Sequence, residues 1–166
     1  MIALDGASVA SPIVAQHDLG KAEGACRAGE TGPALLVDVA GLRDRAGLIK
    51  LEVYPADEAG FLADDSTLVA SGRVFRRVEQ AIPAAGPVRL CVRVPAAGRY
   101  AVVVLHDRNA DHRFTLVSDG IGFAGNPKLG WARPRALAAS AVAGPGMSPL
   151  RIVMNYRHGL TMRPER

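Results

Sequence analysis

Apolar and polar residues alternate in short runs from position 34 onward, and each run ends at Gly or Pro. Alternation with a period of two marks half-buried strands, whereas no segment sustains the 3.6-residue period of a helix. The pattern predicts strands over 34–40, 48–54, 73–82, 87–94, 99–106, 135–142 and 149–157. Leu35, Val37 and Val39 share one face of the first, with Asp38 opposite, and Ile49, Leu51 and Val53 share one face of the second, with Lys50 and Glu52 on a solvated side. One helical turn is expected over 57–63 around Phe61 and Leu62. Tyr100 to Leu105 is apolar at every position, as in a central strand covered on both faces. The last run places Leu150, Ile152, Met154 and Tyr156 on one side. Seven short strands with turn signals between them predict an all-β, seven-stranded antiparallel sandwich of immunoglobulin or prealbumin-like type, with a long irregular loop before the last two strands.

A chain of 166 residues with 49% hydrophobic positions is one domain's worth and carries enough apolar residues for a core. No apolar run approaches the roughly 18 residues of a spanning helix, so a membrane-spanning protein is not expected. The net charge of +4 comes from 17 Arg and 3 Lys against 16 acids. Those cations are scattered in pairs such as Arg76/Arg77 and Arg133/Arg135, without a recognition-helix pattern, zinc-ligand spacing or stacking platform. Nucleic acid is therefore not an expected partner.

Cys26 and Cys91 are too far apart for a zinc site with paired spacing. Cys91 lies on the Arg89/Arg93 face of its strand, where a thiol is best explained by a partner, so a Cys26–Cys91 disulfide is expected over two free thiols. A disulfide implies an oxidising compartment, hence a periplasmic or secreted protein. Residues 1–25 read as a signal remnant or disordered leader, 26–160 as the single domain, and 161–166 as a flexible tail.

The segment 106–134 holds the candidate chemistry. Asp107, Asn109 and Asp111 fall at alternate positions, as calcium ligands do, but His112 stands where the loop wants Gly, and Ser118 where it wants Glu. With three ligands against the usual six to eight, the triplet is expected to be empty and to act as turn formers. No cofactor is expected, with calcium as the one candidate ion. The serines lack a nucleophile elbow, and no catalytic motif is present. Phe114, Phe123 and Trp131 lie in the same segment and are candidate binding anchors for an envelope protein or a glycan; the competing expectation is that they fold back to cap the sandwich.

Several pieces of the chain resemble a known family. They are Leu-Leu-Val-Asp-Val-Ala-Gly-Leu-Arg-Asp at 35–44, Gly-Phe-Leu at 60–62, Pro-Ala-Ala-Gly-Arg-Tyr-Ala-Val-Val-Val-Leu-His-Asp-Arg-Asn-Ala-Asp at 95–111, Gly-Phe-Ala-Gly-Asn-Pro at 122–127 and Asn-Tyr at 155–156. Together they resemble the bacterial domain-of-unknown-function 2141 family over about residues 26–160. The resemblance implies an exported β-sandwich without an established activity. Where that family continues with Gly-Lys and a further Asp, this chain carries His112-Arg113-Phe114-Thr115. The leading expectation is a non-enzymatic binding or structural module that presents the 106–134 loop. The alternative is a metal-dependent or hydrolytic enzyme using His106, Asp107 and Asp111, which requires those side chains to converge in a pocket. A Lys50–Asn155 crosslink is not expected, because both residues read as solvated and the reaction needs a buried, neutral amine.

Overall fold

The computed structural model describes residues 15–166. Ten strands form two sheets: β1 (Ala34–Ala40), β2 (Leu48–Pro55), β3 (Arg76–Ala81), β4 (Val88–Arg93), β5 (Gly98–Asp107), β6 (Gly120–Phe123), β7 (Ser140–Ala143), β8 (Met147–Val153), β9 (Asn155–His158) and β10 (Thr161–Pro164). The smaller sheet has the order β4-β1-β8 and the larger β10-β9-β6-β5-β2-β3, with β7 also paired to β5. The fold is a mostly antiparallel sandwich. Its one parallel pair among the described residues joins β1 to β8, and the seven strands expected from the sequence become ten.

The alternation read from the sequence builds the space between the sheets. Leu35, Val37 and Val39 of β1 and Val88, Leu90 and Val92 of β4 pack against Ile49, Leu51 and Val53 of β2 and Tyr100, Val102 and Val104 of β5. At about 25 cal/mol per Å² of apolar surface removed from water, this aliphatic layer is the main source of stability. The run expected as a single last strand divides at Met154, whose amide bonds Ala40 of β1, so that β8 lies in the small sheet and β9 in the large one. Ile152, Met154 and Tyr156 nonetheless all enter one core. Inward faces of both sheets point at the same interior, so alternation carries no mark of the crossing.

A second layer covers the outer face of the large sheet. Tyr54, Ala101, Val103 and Phe123 meet Phe61, Leu68, Phe75, Ala136 and Ala139, which explains why β5 is apolar at both phases. Leu68 sits on α2 (Asp65–Ala70), where Asp64 caps the first turn by accepting from the Thr67 amide at 2.8 Å. The turn expected over 57–63 is present as a single hydrogen-bonded turn, with the Phe61 amide donating to the Asp57 carbonyl at 2.9 Å and Phe61 buried, and the regular helix begins after its cap at 64.

Three boundary and burial expectations differ from the structure. Residues 16–24, read as leader, form a 3-10 turn and α1 (Lys21–Gly24), and the Gly20 carbonyl accepts from the Arg77 amide. The part of the leader over 1–14 lies outside the described residues. Thr161–Pro164, read as tail, is the edge strand β10. Lys50 and Glu52, read as solvated, are 7% and 4% exposed because the second layer closes over them. Asn155 is buried too, and it shares with Lys50 a row that runs through Leu105 and Ile121. Three strand spacings of about 4.8 Å separate the pair, beyond the reach of a lysine side chain.

Cys26 and Cys91 are joined as a disulfide with Cα atoms 5.9 Å apart, next to an isolated bridge between Ala25 and Val92. The bond ties the N-terminal segment to the outer face of β4.

Candidate functional site

The calcium-like triplet is a self-contained turn. Asp107 is 2% exposed, and its two oxygens accept from the amides of Asp111 (3.2 Å) and His112 (2.8 Å). Asp111 accepts from the Arg113 amide and from the Asn109 side chain, and these bonds lower its carboxyl pKa. Asp119 is also buried and accepts from the amides of Arg108 and Thr115. These oxygens hold the loop's own backbone, as short Asp and Asn side chains do in turns. Among the described residues no group of three or more His, Cys, Asp or Glu has the arrangement of a metal site.

His106, Asp107 and Asp111 do not converge. His106 is fully buried at the end of β5, with Nδ1 2.6 Å from the Tyr156 hydroxyl and Nε2 2.8 Å from the Ala46 carbonyl. A carbonyl only accepts, so Nε2 carries the proton and Nδ1 accepts from Tyr156. Burial lowers the His106 pKa and raises that of Tyr156 to about 12. Gly120 makes the arrangement possible: a Cβ there would stand 2.4 Å from the Tyr156 ring. The cluster is closed at its outer side by Asp44, whose pKa is lowered by the Arg108 hydrogen bond, with Arg108 Nε at 2.8 Å.

The three aromatic anchors part company. Phe123 is 4% exposed and meets Phe61 edge-on within the layer over the large sheet's outer face. Phe114 and Trp131 remain 40% and 89% exposed. They line an open groove of about 340 Å³ at the β9–β10 end of the sheet's outer face. Its floor is Ile121 and Phe123, and its walls are Leu116, Leu129 and the β9–β10 hairpin residues Leu160 and Met162. Leu160 and Leu116 are 73% and 50% exposed. Isolated exposed apolar residues are ordinary, but a contiguous patch around a concavity marks an interaction site. The lining holds two cations, Arg133 and Arg157, and no carboxylate. Leu160 and Met162 are not among the residues the sequence marks out, since β10 lies where a tail is expected.

At the β3 end of the same face a polar cluster forms that the sequence reading missed. Arg77 donates to Glu52 at 2.9 Å and to Asp65 at 2.8 Å, and Tyr54 donates to Glu52 at 2.7 Å. Burial, with Glu52 as neighbour, raises the Tyr54 pKa. Glu79 accepts from Lys21 and contacts His112 Nδ1; burial raises its pKa, but these bonds outweigh that and hold it low. His112 and His17 face each other with ring centres 5.8 Å apart. No helix among the described residues is long and apolar enough to cross a membrane.

No curated protein and no solved structure matches the chain. A family model described as an uncharacterized protein conserved in bacteria matches residues 37–146, from β1 to the turn before β8. The match takes in the 106–134 loop and leaves Cys26 and the β9–β10 hairpin outside. Covering more than half of the chain, it places this protein in the DUF2141 family.

Proposed function

We propose that the protein is a non-enzymatic binding module of the bacterial envelope or exterior, whose groove between the 106–134 loop and the β9–β10 hairpin takes an apolar, acidic polypeptide segment. The carrying observation is Trp131, 89% exposed at the rim of a concavity otherwise built from aliphatic and aromatic side chains. Tryptophan and arginine are the residue types that most often anchor protein contacts, and Arg133 and Arg157 both line the groove. Arg133 is paired with Glu58 at 3.8 Å, but the Arg157 guanidinium bonds only the Gly159 carbonyl among the described residues, which leaves its charge for a negatively charged occupant. A glycan is less suited, because its hydroxyls need side-chain acceptors and the lining offers none from Asp, Glu, Asn or Gln. The outer edge of β10 is unpaired in the sheet order, so its backbone is open to an extended segment. The disulfide supports an oxidising compartment.

Selection of displayed random peptides on the wild-type protein, repeated on Trp131→Ala, tests the reading. Enrichment of sequences pairing large apolar residues with Asp or Glu, lost on the variant, is the expected result. Failure to enrich, or enrichment that survives the substitution, overturns it, and binding to a glycan array instead would assign the groove to sugars.

A further inference from the structure

Lys50 is the most unusual charge in the protein. It is 7% exposed, yet its ammonium makes a single marginal hydrogen bond, 3.5 Å to the His112 carbonyl. Its cross-strand neighbour on β3 is Glu79, and such a pair ordinarily forms an ion pair. Glu79 instead points its oxygens at Lys21 Nζ (3.3 Å) and His112 Nδ1 (3.2 Å). Burying an ammonium without paired charge is costly, so a position like this calls for a partner.

The side chain lines a cavity of about 410 Å³ that opens between the N-terminal segment, β2, β3 and the loop at 111–113. Its remaining carboxylates are already engaged. Asp65 accepts from Arg77 and Gln16, and Asp111 from Asn109 and the Arg113 amide. Arg77 in turn is held by Glu52, Asp65 and the Gln16 carbonyl, with its charge balanced by the two carboxylates. The donors left over are the Lys50 ammonium and the Arg113 guanidinium, which has no side-chain partner among the described residues, with the imidazoles of His17 and His112 beside them. The unused capacity is that of donors, so the complement is an acceptor with several oxygens.

We infer that this cavity is a second binding site, independent of the apolar groove, that takes a tetrahedral oxyanion of the phosphate type with Lys50 as its central ligand. Lys50 would donate two or three hydrogen bonds from the floor, and Arg113 would close over the anion from the loop. Charge-assisted bonds of this kind are about twice as strong as neutral ones, and they replace the solvation that Lys50 gives up on burial.

Calorimetric titration with inorganic phosphate and, separately, glycerol 3-phosphate tests the site. Binding of at least one with Kd below about 1 mM is expected. Tighter binding of the ester assigns the site to a phosphate carried on an organic molecule, and equal binding to the free ion. Lys50→Met should weaken binding at least about tenfold while raising the Tm of the unliganded protein, since an unpaired buried charge is replaced by an apolar side chain of similar shape. Arg113→Gln should weaken binding with Tm unchanged, and Arg151→Gln, which removes an exposed cation on β8, should leave it unchanged. No binding by the wild type, or full binding by Lys50→Met, overturns the inference. A Lys50→Met protein with lowered Tm would show that Lys50 serves the fold instead.

Discussion

At the β3 end of the large sheet's outer face Lys50, Glu52 and Arg77 are buried, whereas at the β10 end Trp131 and Leu160 stand in solvent. Both ends depart from the ordinary partition of side chains, in opposite senses, and one loop serves both: His112 and Arg113 line the polar cavity, and Phe114 and Leu116 line the groove. The covering layer explains the difference. The N-terminal segment and α2 lie over the β3 end and engage Arg77 through Gln16 and Asp65, while Lys50 keeps only its marginal bond to the His112 carbonyl. Over the β10 end lie only the loop and the edge hairpin, which leave Leu116, Trp131 and Leu160 largely exposed. Buried polar groups and exposed apolar patches are the informative departures from average partition, which is why both proposed sites fall on this one face.

The largest effect should come from breaking the polar end. Arg77→Met leaves Glu52 buried without its cation, and removal of one member of such a pair costs about 3–5 kcal/mol. Replacing Glu52 by Gln in the same protein should recover much of that loss, because the uncompensated charge disappears. Urea unfolding of the single and double variants measures the coupling. A loss below about 1 kcal/mol for the single variant would mean that the buried network does not hold the layer in place.

The disulfide sharpens the same contrast. It closes a loop of 65 residues, worth about 4 kcal/mol as an upper figure in the chain-entropy account. The segment it anchors includes Gln16 and His17, which line the polar cavity and take no part in the groove. Reduction, or a Cys26→Ala/Cys91→Ala protein, should therefore speed proteolysis near residues 15–25 while leaving the Trp131 groove intact. Equal exposure of both ends after reduction would refute this division.

How far the sequence reveals these regions follows from which pattern each obeys. The inner faces of β1, β2 and β4 are legible residue by residue, because alternation is a property of the strand itself, whereas β5, apolar at every position, shows only that both its faces are covered. The burial of Lys50 and Glu52 is not legible, since an alternating Lys and Glu look identical whether water or another layer covers them. The edge strand β10 is hidden for a related reason: Thr161 to Pro164 has no apolar alternation, and an edge strand needs none when one side of it faces solvent. Among the candidate site residues, Phe114 and Trp131 reach the groove, Phe123 lies beneath it in the core, and Asp107, Asn109 and Asp111 hold a turn. Aromatic identity marks a residue as a candidate anchor, but only tertiary packing decides which of three aromatics remains outside.

The His106 cluster lies on the inner side of the same sheet, where His106 meets Tyr156, and it gives a pH signature of its own. Burial depresses the His106 pKa below its ordinary 6.5, so in the folded protein the ring resists a proton that the unfolded chain accepts. Stability from this group is complete above about pH 6.5 and is lost as the pH falls from there toward the depressed value. Urea midpoints between pH 8 and 5 should fall in that window for the wild type. A His106→Gln protein, less stable at neutral pH because Tyr156 and Ala46 lose a well-placed partner, should show a flatter profile there. An unchanged slope would assign the effect elsewhere. The lowered carboxyls of Asp44 and Glu79 act separately, their contributions lost only as the pH falls below the usual carboxylate range.

The smallest effect on stability should come from the most conspicuous side chain. Trp131 is 89% exposed and has no place in either buried cluster, so Trp131→Ala removes little surface that folding hides from water. Surface substitutions of this kind fall within about 0.5 kcal/mol, an order of magnitude below the expected cost of Arg77→Met. An interface anchor behaves in the opposite way, since truncating a central Trp often costs more than 2 kcal/mol of binding energy. Paired measurements on one variant therefore separate the two roles: an unchanged urea midpoint together with lost capture of acidic, apolar peptides identifies a side chain held outside the fold for a partner. A destabilisation of about 2 kcal/mol or more would instead mean that Trp131 folds over the groove in solution and completes the second layer. In that case the β10 end would resemble the β3 end, closed by the chain's own residues, and the contrast between them would disappear.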